Sequence, residues 1–368
     1  MKTTIIKFLF FRKNSHSTPS LWGKAGMGLL LLIAALSGCK PDDDNTPEGA
    51  YETGVFITNE GPFGTGTGTV SFYNRASGEV SNNIFEVVNN RPLGNIVNSI
   101  EVHNEKAYIV VNNAAKVEVV NVADFVSTGV IENLGTPRYF LGIDEHKGYI
   151  SDWASGVKVV DLHSNTVSAT IVTGGQGPEQ MKQIGSEVFV ANSGGYDKDS
   201  TLVVINTASD AVSATLTVGH NPKALAVDAD GKLWVLCNGI LDWINSANDT
   251  PGKLVRINPT TKTIELTLTF ASASDHPAGL VTNEAKTKLY YTLNGGVYEF
   301  GITASALPSS ALINRSFYNI GVDPVSDYIF GTDALDYVQN GYVLRYTLSG
   351  TLVDSFQVGV IPGNFYFN

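Results

Sequence analysis

Residues 219–239 read GHNPKALAVDADGKLWVLCNG. A Gly/Pro turn opens the stretch, and KALAVD then alternates, with Leu225 and Val227 on one face and Ala224 and Ala226 on the other. Asp230 and Gly231 form a hairpin-turn dipeptide, since both residue types accept the backbone angles of a tight turn. A second run, Leu233–Cys237, follows and ends at Asn238 and Gly239, where the chain must turn again. A lone hairpin leaves its apolar faces in water and is at best marginally stable. The unit therefore needs copies of itself alongside.

The chain supplies them. Runs equivalent to the second strand are VFITN ending at Asn59, YIVVN at Asn112, YISD at Asp152 and VFVAN at Asn192. LWVLCN at Asn238, YYTLN at Asn294 and IFGTD at Asp333 complete the set. They stand 39 to 56 residues apart, close to the period of a four-stranded propeller blade. A third run follows each one, such as TVSFYN, KVEVVNV or TLVVINT, and a fourth is clear in TVSATIV, AVSATLTV, TIELTLTF and TLVDSFQV. The expected fold is all-β: a seven-bladed β-propeller of four-stranded antiparallel blades over residues 54–368. The first copy lacks a first strand, and a spare segment, residues 361–368, ends the chain. Its Pro362 matches Pro137, Pro178, Pro222 and Pro277, which open other first strands. The C-terminal strand is thus expected to complete blade 1 and close the ring, leaving fewer bare edges. An open solenoid or a pair of sandwiches is the rival architecture.

The 368 residues are 43% hydrophobic and 16% charged, with 37 glycines. That composition suits a strand- and turn-rich globular body and not a disordered or coiled chain. The formal net charge is −11, yet Lys2, Lys7, Arg12, Lys13 and Lys24 all fall in the first 38 residues, which hold no acid. The remainder is more acidic still and repels phosphate backbones, which argues against nucleic acid as a partner. Residues 25–36, AGMGLLLLIAAL, are too few for a comfortable membrane span of about 20 residues but suit a secretory signal. Leu36, Ser37, Gly38 and Cys39 follow and resemble a bacterial lipobox. Residues 1–38 are therefore expected to be a lipoprotein signal peptide and Cys39 the lipidated residue, each acyl chain contributing roughly 0.8 kcal/mol per buried CH2. Residues 39–53 read as a flexible acidic tether. Within it, Lys40 through Asp44 resembles the Lys-plus-acidic signal that sends some Gram-negative lipoproteins to the outer face of the outer membrane; a solvated acidic linker is the alternative. Cys237 is the one cysteine after Cys39, so no disulfide between free thiols is available, and it reads as inert core.

Residues 219–239, with TGGQGPEQMKQIGSEVFVANSG as a weaker copy, resemble the repeat of YncE-like, or surface-layer-like, seven-bladed propellers over about residues 54–368. With the lipobox and the acidic motif, the chain is similar to surface propeller lipoproteins (BtuG type) that partner TonB-dependent transporters. The best understood of these capture cobalamin. The resemblance implies a lipid-anchored outer-membrane protein, exposed at the cell surface, that captures a small molecule, with a corrinoid as the first candidate. It implies a TonB-dependent outer-membrane transporter as partner, membrane contact through the anchor only, and no resident cofactor.

In an antiparallel blade the end of the second strand and the start of the first lie on one face, and the first strands line the channel. Asn59, Asn112, Asp152, Asn192, Asn238, Asn294 and Asp333 should therefore crowd around one mouth. Turn chemistry accounts for each singly; together they make a ring of amides and carboxylates. The loops beyond them carry Glu60 and the aromatics Phe63, Trp153, Tyr196, Trp243 and Tyr337, while loops into the first strands add Arg91, Arg138, Gln176, His220 and His276. Rings and amides together suit a bulky, partly apolar ligand with many hydrogen-bonding groups. Residues 239–252 form the longest such loop, and long loops in compact folds are often functional.

No Gly-x-Ser-x-Gly, His-Glu-x-x-His or Cys-x-x-Cys occurs, so no catalytic residue is expected. Asp228 and Asp230 superficially suggest a calcium loop, but its closing Glu is missing. His220 and His276 could share a metal, yet no clear third ligand accompanies them, and no metal site is expected. Glu60 with Asn192, Asn238 or Asp333 could hold a divalent cation, as in calcium-dependent lactonase propellers, although those resemble six-bladed rings. A structural or adhesive surface protein, which needs no concave site, is the third reading.

Overall fold

Alternation along each strand decides how the sheets stack. Leu233, Val235 and Cys237 enter one apolar cluster with Phe189, Leu202 and Val204, whereas Trp234 and Leu236 enter another with Leu289, Tyr291 and Phe300. Residues i and i+2 share a face of a strand, so one strand feeds two cores. Leu225 and Val227 join the first cluster, and Ala224 and Ala226 the second, as the sequence predicts.

The structure is a computed structural model that describes residues 49–368. The expected signal peptide, Cys39 and most of the tether lie outside the described residues. The described residues belong to a single compact unit. Seven antiparallel sheets follow one another around a ring. Their innermost strands are Pro362–Phe367 in blade 1, Val97–His103 in blade 2, Pro137–Gly142 in blade 3 and Pro178–Ile184 in blade 4. Pro222–Val227, Ala278–Thr282 and Ile320–Val322 serve blades 5, 6 and 7. Each lies against the next, and that of blade 7 returns to that of blade 1. Seven apolar clusters result, one at each interface between neighbouring blades.

Closure runs as expected. Pro362–Phe367 pairs antiparallel with Gly54–Asn59, Val55 opposite Phe367 and Asn59 opposite Pro362. Phe365 and Phe367 pack with Phe330 and Val343, which joins blade 7 to blade 1. Arg75 fastens the same seam from below. Its guanidinium makes two bonds to Asp323, 2.8 and 2.9 Å, and a third to the Asn368 carbonyl.

Three details differ from the sequence reading. Six sheets have four strands, but blade 6 has three, and a single bridge between Val297 and Ile313 stands where a fourth would run. Residues 302–313, ITASALPSSALI, lack an alternating pattern and include Pro308, which cannot donate to a ladder. In blade 1 the outer strand is only Val80–Ser81, and a short helix, Ile84–Asn89, follows and buries Ile84 and Phe85. Finally, the tether ends earlier than residue 53. Tyr51 meets Phe72 and Phe125 edge-on at 5.3 and 5.5 Å, and the Asn368 amide donates to the carbonyls of Tyr51 and Glu52. These residues dock on the lower face, at the opposite end of the first blade from Asn59.

Candidate functional site

Strand register places the predicted ring at one mouth. Pro137 stands beside Asp152, Pro178 beside Asn192, and Pro222 beside Cys237, just before Asn238. Most of these side chains are engaged in holding the blades. The Asp152 carboxylate accepts the N–H groups of Gly135, Thr136 and Ala154 at 2.6, 2.8 and 2.9 Å. Asn59 donates to Thr69 Oγ1 and Ser71 Oγ, and Asn192 to Thr201 Oγ1. Asn112 reaches the Pro137 carbonyl in the next blade at 2.8 Å, and Asn294 reaches Asp275. Asp333 accepts from Arg315 at 2.6 Å and from the Leu335 N–H. Asn59, Asp152 and Asn192 are fully buried. Turn and interstrand chemistry thus occupies most of the ring, while the buried Oδ1 atoms of Asn59, Asn192 and Asn238 have no hydrogen-bond partner.

A repeated bulge, which periodicity did not reveal, populates the throat instead. In six blades the register slips near the start of the innermost strand: after Val97, Pro137, Pro178, Pro222 and Ala278, and opposite Ile57 to Asn59 in blade 1. An inserted residue re-aims its side chain. The inserted polar residues include Asn98, Arg138, Glu179, Lys223 and Asn364. Arg138 grips the buried Glu179 at 2.9 Å and lies 4.4 Å from the Trp153 ring, while Trp153 Nε1 donates to Glu179 at 2.7 Å. Burial opposes the charge on Arg138, but Glu179 more than restores it, and its pKa is raised. Glu60 accepts from the Tyr318 hydroxyl at 3.0 Å. Burial lifts the Glu60 pKa, with Tyr318 and Arg138 pulling the other way. The sequence reading missed Glu179 and Tyr318; a polar residue one place after the strand-opening Pro178 was the available sign.

Arg91 stands apart from the mouth. It binds the buried Glu118 and Ser127 on the outer strands of blade 2 and lies 4.8 Å from the Phe85 ring. Burial would raise the Glu118 pKa, but Arg91, Ser127 and Lys116 together hold it below the ordinary range.

The aromatics do reach the upper face. Tyr196 and Trp243 are each 89% exposed, and they flank a cleft of about 590 Å3 between the loops of blades 4 and 5. A neighbouring cleft of about 380 Å3 shares Gly195 and Tyr196 and adds Trp153 and Gln176. Trp153 and Tyr196 meet edge-on at 5.3 Å. The loop 239–252 is pinned at its base, where Ile240 and Thr250 exchange two hydrogen bonds and Asp249 accepts the Asp242 N–H at 2.7 Å. Gly239 has φ 78, and a Cβ there would stand 2.1 Å from the Thr250 carbonyl oxygen, so only glycine fits. Two buried atoms beside the cleft have no hydrogen-bond partner, Asn238 Oδ1 and His276 Nε2. His276 Nδ1 lies 3.0 Å from the Asn238 carbonyl, which assigns its proton to Nδ1 and leaves Nε2 an acceptor. Phe63 and Tyr337 are also exposed, on blades 1 and 7, with Tyr337 edge-on to Tyr318. His220 is exposed, and among the described residues no group of three or more His, Cys, Asp or Glu could hold a metal ion.

Residues 53–366 match a family described as a domain of unknown function, DUF5074. The chain belongs to that family. No curated protein matches it in sequence. Among solved structures it is similar to a quinoprotein alcohol dehydrogenase-like protein from Bacteroides thetaiotaomicron, with a TM-score of 0.65 and 14% identity over 86% of this chain and 78% of that one. It is also similar to the hydrazine synthase of Kuenenia stuttgartiensis, with a TM-score of 0.54 and 13% identity over 70% and 84% of the two chains. At these identities the likeness is one of fold, and fold alone selects no activity.

What the DUF5074 mouth offers chemically is a surface for binding. Exposed rings present stacking faces, Lys198 and Lys223 bring positive charge, and Asn238 and His276 bring acceptors. The Asp242 carboxylate is already taken by Asn248 and by the N–H groups of Asn245 and Ile244, which hold its pKa low. Cys237 is buried in the strand below, and burial pushes its thiol up to about 12, so it forms no thiolate at neutral pH.

Proposed function

We propose that this DUF5074 chain is a lipid-anchored surface protein that captures a small molecule at the upper mouth of its propeller and passes it to a TonB-dependent transporter. A corrinoid is the first candidate. One observation carries the reading: Tyr196 and Trp243 stand almost fully in solvent on either side of a cleft bordered by the unpartnered acceptors of Asn238 and His276. Buried acceptors without partners are costly; a ligand with a broad apolar face would cover both rings, and its amide N–H groups would satisfy the two acceptors as the cleft adjusts around it. The described chain enters the ring at the lower face, at the opposite end of blade 1 from the mouth. Capture then needs no covalent step.

The test is a titration of the protein beginning at Pro47 with cyanocobalamin, read by tryptophan fluorescence and calorimetry. Saturable binding that Trp243→Ala weakens at least about tenfold supports the reading. Calcium-dependent hydrolysis of a lactone without corrinoid binding would replace it with an enzyme. Absence of both would leave a structural or adhesive role.

A further inference from the structure

The central channel holds a second cavity, of about 330 Å3, in its lower half and away from the mouth. Carboxamides of the innermost strands and of the residue before one of them line part of it. Asn319 donates to Asn364 Oδ1 at 2.8 Å, Asn364 donates to the Asn98 carbonyl at 2.7 Å, and Gln180 accepts the Leu225 N–H at 2.9 Å. These three carboxamides, from blades 7, 1 and 4, thus tie to backbone groups of blades 2 and 5. The walls mix polar carboxamide, hydroxyl and backbone groups with apolar side chains, among them Leu225, Val322 and the rings of Phe365 and Phe367.

The charge of this cavity runs against that of the protein. The chain carries 35 acids and a net charge of −11, yet no Asp or Glu lines the cavity, and its two ionised groups are Lys182 and Lys286. Lys182 sits near the lower end of Pro178–Ile184 and Lys286 in the turn after Ala278–Thr282, so both face the opening. Neither ammonium has a hydrogen bond or ion pair among the described residues. Glu101, on blade 2, is the acid whose field reaches Lys182, and it does not line the cavity.

We infer that the lower channel is a separate binding site for an organic carboxylate with a compact apolar body. Two unpaired ammonium groups at one opening, with no carboxylate in the lining, favour an anion. The Phe rings and the apolar side chains among the lining favour a compact hydrocarbon part, and the volume stands at the small end of the roughly 300–1,000 Å3 range of ligand pockets.

The test compares 2-naphthoate with its neutral analogue 2-naphthamide, by calorimetry on the protein beginning at Pro47. Naphthoate is expected to bind saturably, the amide at least about tenfold more weakly, and the double variant Lys182→Met with Lys286→Met to lose at least about tenfold in naphthoate affinity. Both lysines are exposed, so the variant should keep the parent's thermal midpoint. Trp243→Ala, on the upper face, should leave naphthoate binding unchanged, which separates this site from the mouth. Equal binding of acid and amide, retention of affinity in the double variant, loss of it in Trp243→Ala, or no saturation would each overturn the inference.

Discussion

Replacing Glu101 with Gln should stabilise the protein, and by more as pH rises. Glu101 lies on Val97–His103 inside the channel, where burial raises its pKa from 4.5 to about 7 and Lys182 offsets only part of that. Tyr366, whose hydroxyl donates to the Val102 carbonyl, is a further titratable group nearby; burial, and after it the Glu101 charge, raises its pKa. A carboxyl whose folded-state pKa is raised binds its proton more tightly in the native state. Stability therefore falls as pH climbs from about 4.5 and levels off above about 7. At 1.36 kcal/mol for each tenfold step, ionising Glu101 costs about 3 kcal/mol at pH 8 and about 1 kcal/mol at pH 5. Glu101 keeps some contact with channel water, so these values are upper figures. Gln has nearly the same shape and no charge, and Glu101→Gln should recover most of each amount. Urea unfolding followed by tryptophan fluorescence at both pH values measures the difference directly. A gain that does not change with pH, or a variant less stable than the parent at pH 8, would show Glu101 ionised and paired with Lys182, and the reasoning would fail.

Three further outcomes follow from the seams of the ring. Arg75→Ala leaves the buried Asp323 carboxylate without its partner and frees the Asn368 carbonyl, so a loss of about 3–5 kcal/mol is expected by thermal or urea unfolding. Burial would raise the Asp323 pKa, but Arg75, Ser326 and the Val325 N–H hold it below 3.8, so this seam's contribution is present above about pH 4 and lost as pH falls through the folded value. Glu179→Gln strands Arg138 in the throat and weakens the acceptor for Trp153 Nε1. A loss of about 2–4 kcal/mol with a shift in tryptophan emission is expected, and an unchanged midpoint would count against a structural role for the pair. Deleting residues 362–368 removes the innermost strand of blade 1 together with Phe365 and Phe367; it should abolish the cooperative transition and expose dye-binding apolar surface.

Local physics accounts for what was legible in the residues. Blade number, closure by the C-terminal strand and the common face of the seven Asx residues all follow from period-two alternation and turn chemistry, which act over a few neighbours. The division of Leu233–Cys237 between two cores is the clearest instance, since its side chains can only alternate. The partners of polar side chains were not legible in this way. Asn59, Asp152 and Asn192 read singly as turn residues and together as ligand groups until the fold closed around them, and Arg91 found Glu118 on the flank of blade 2. The bulges that turn Arg138 and Glu179 into one throat, and the channel that sets Lys182 beside Lys286, exist only once strands far apart in the chain are paired in register. Sequence alone thus determined the ring, because backbone pattern is short-range. Tertiary structure decided what its openings hold, because charge and hydrogen bonding act across space between residues the chain keeps far apart.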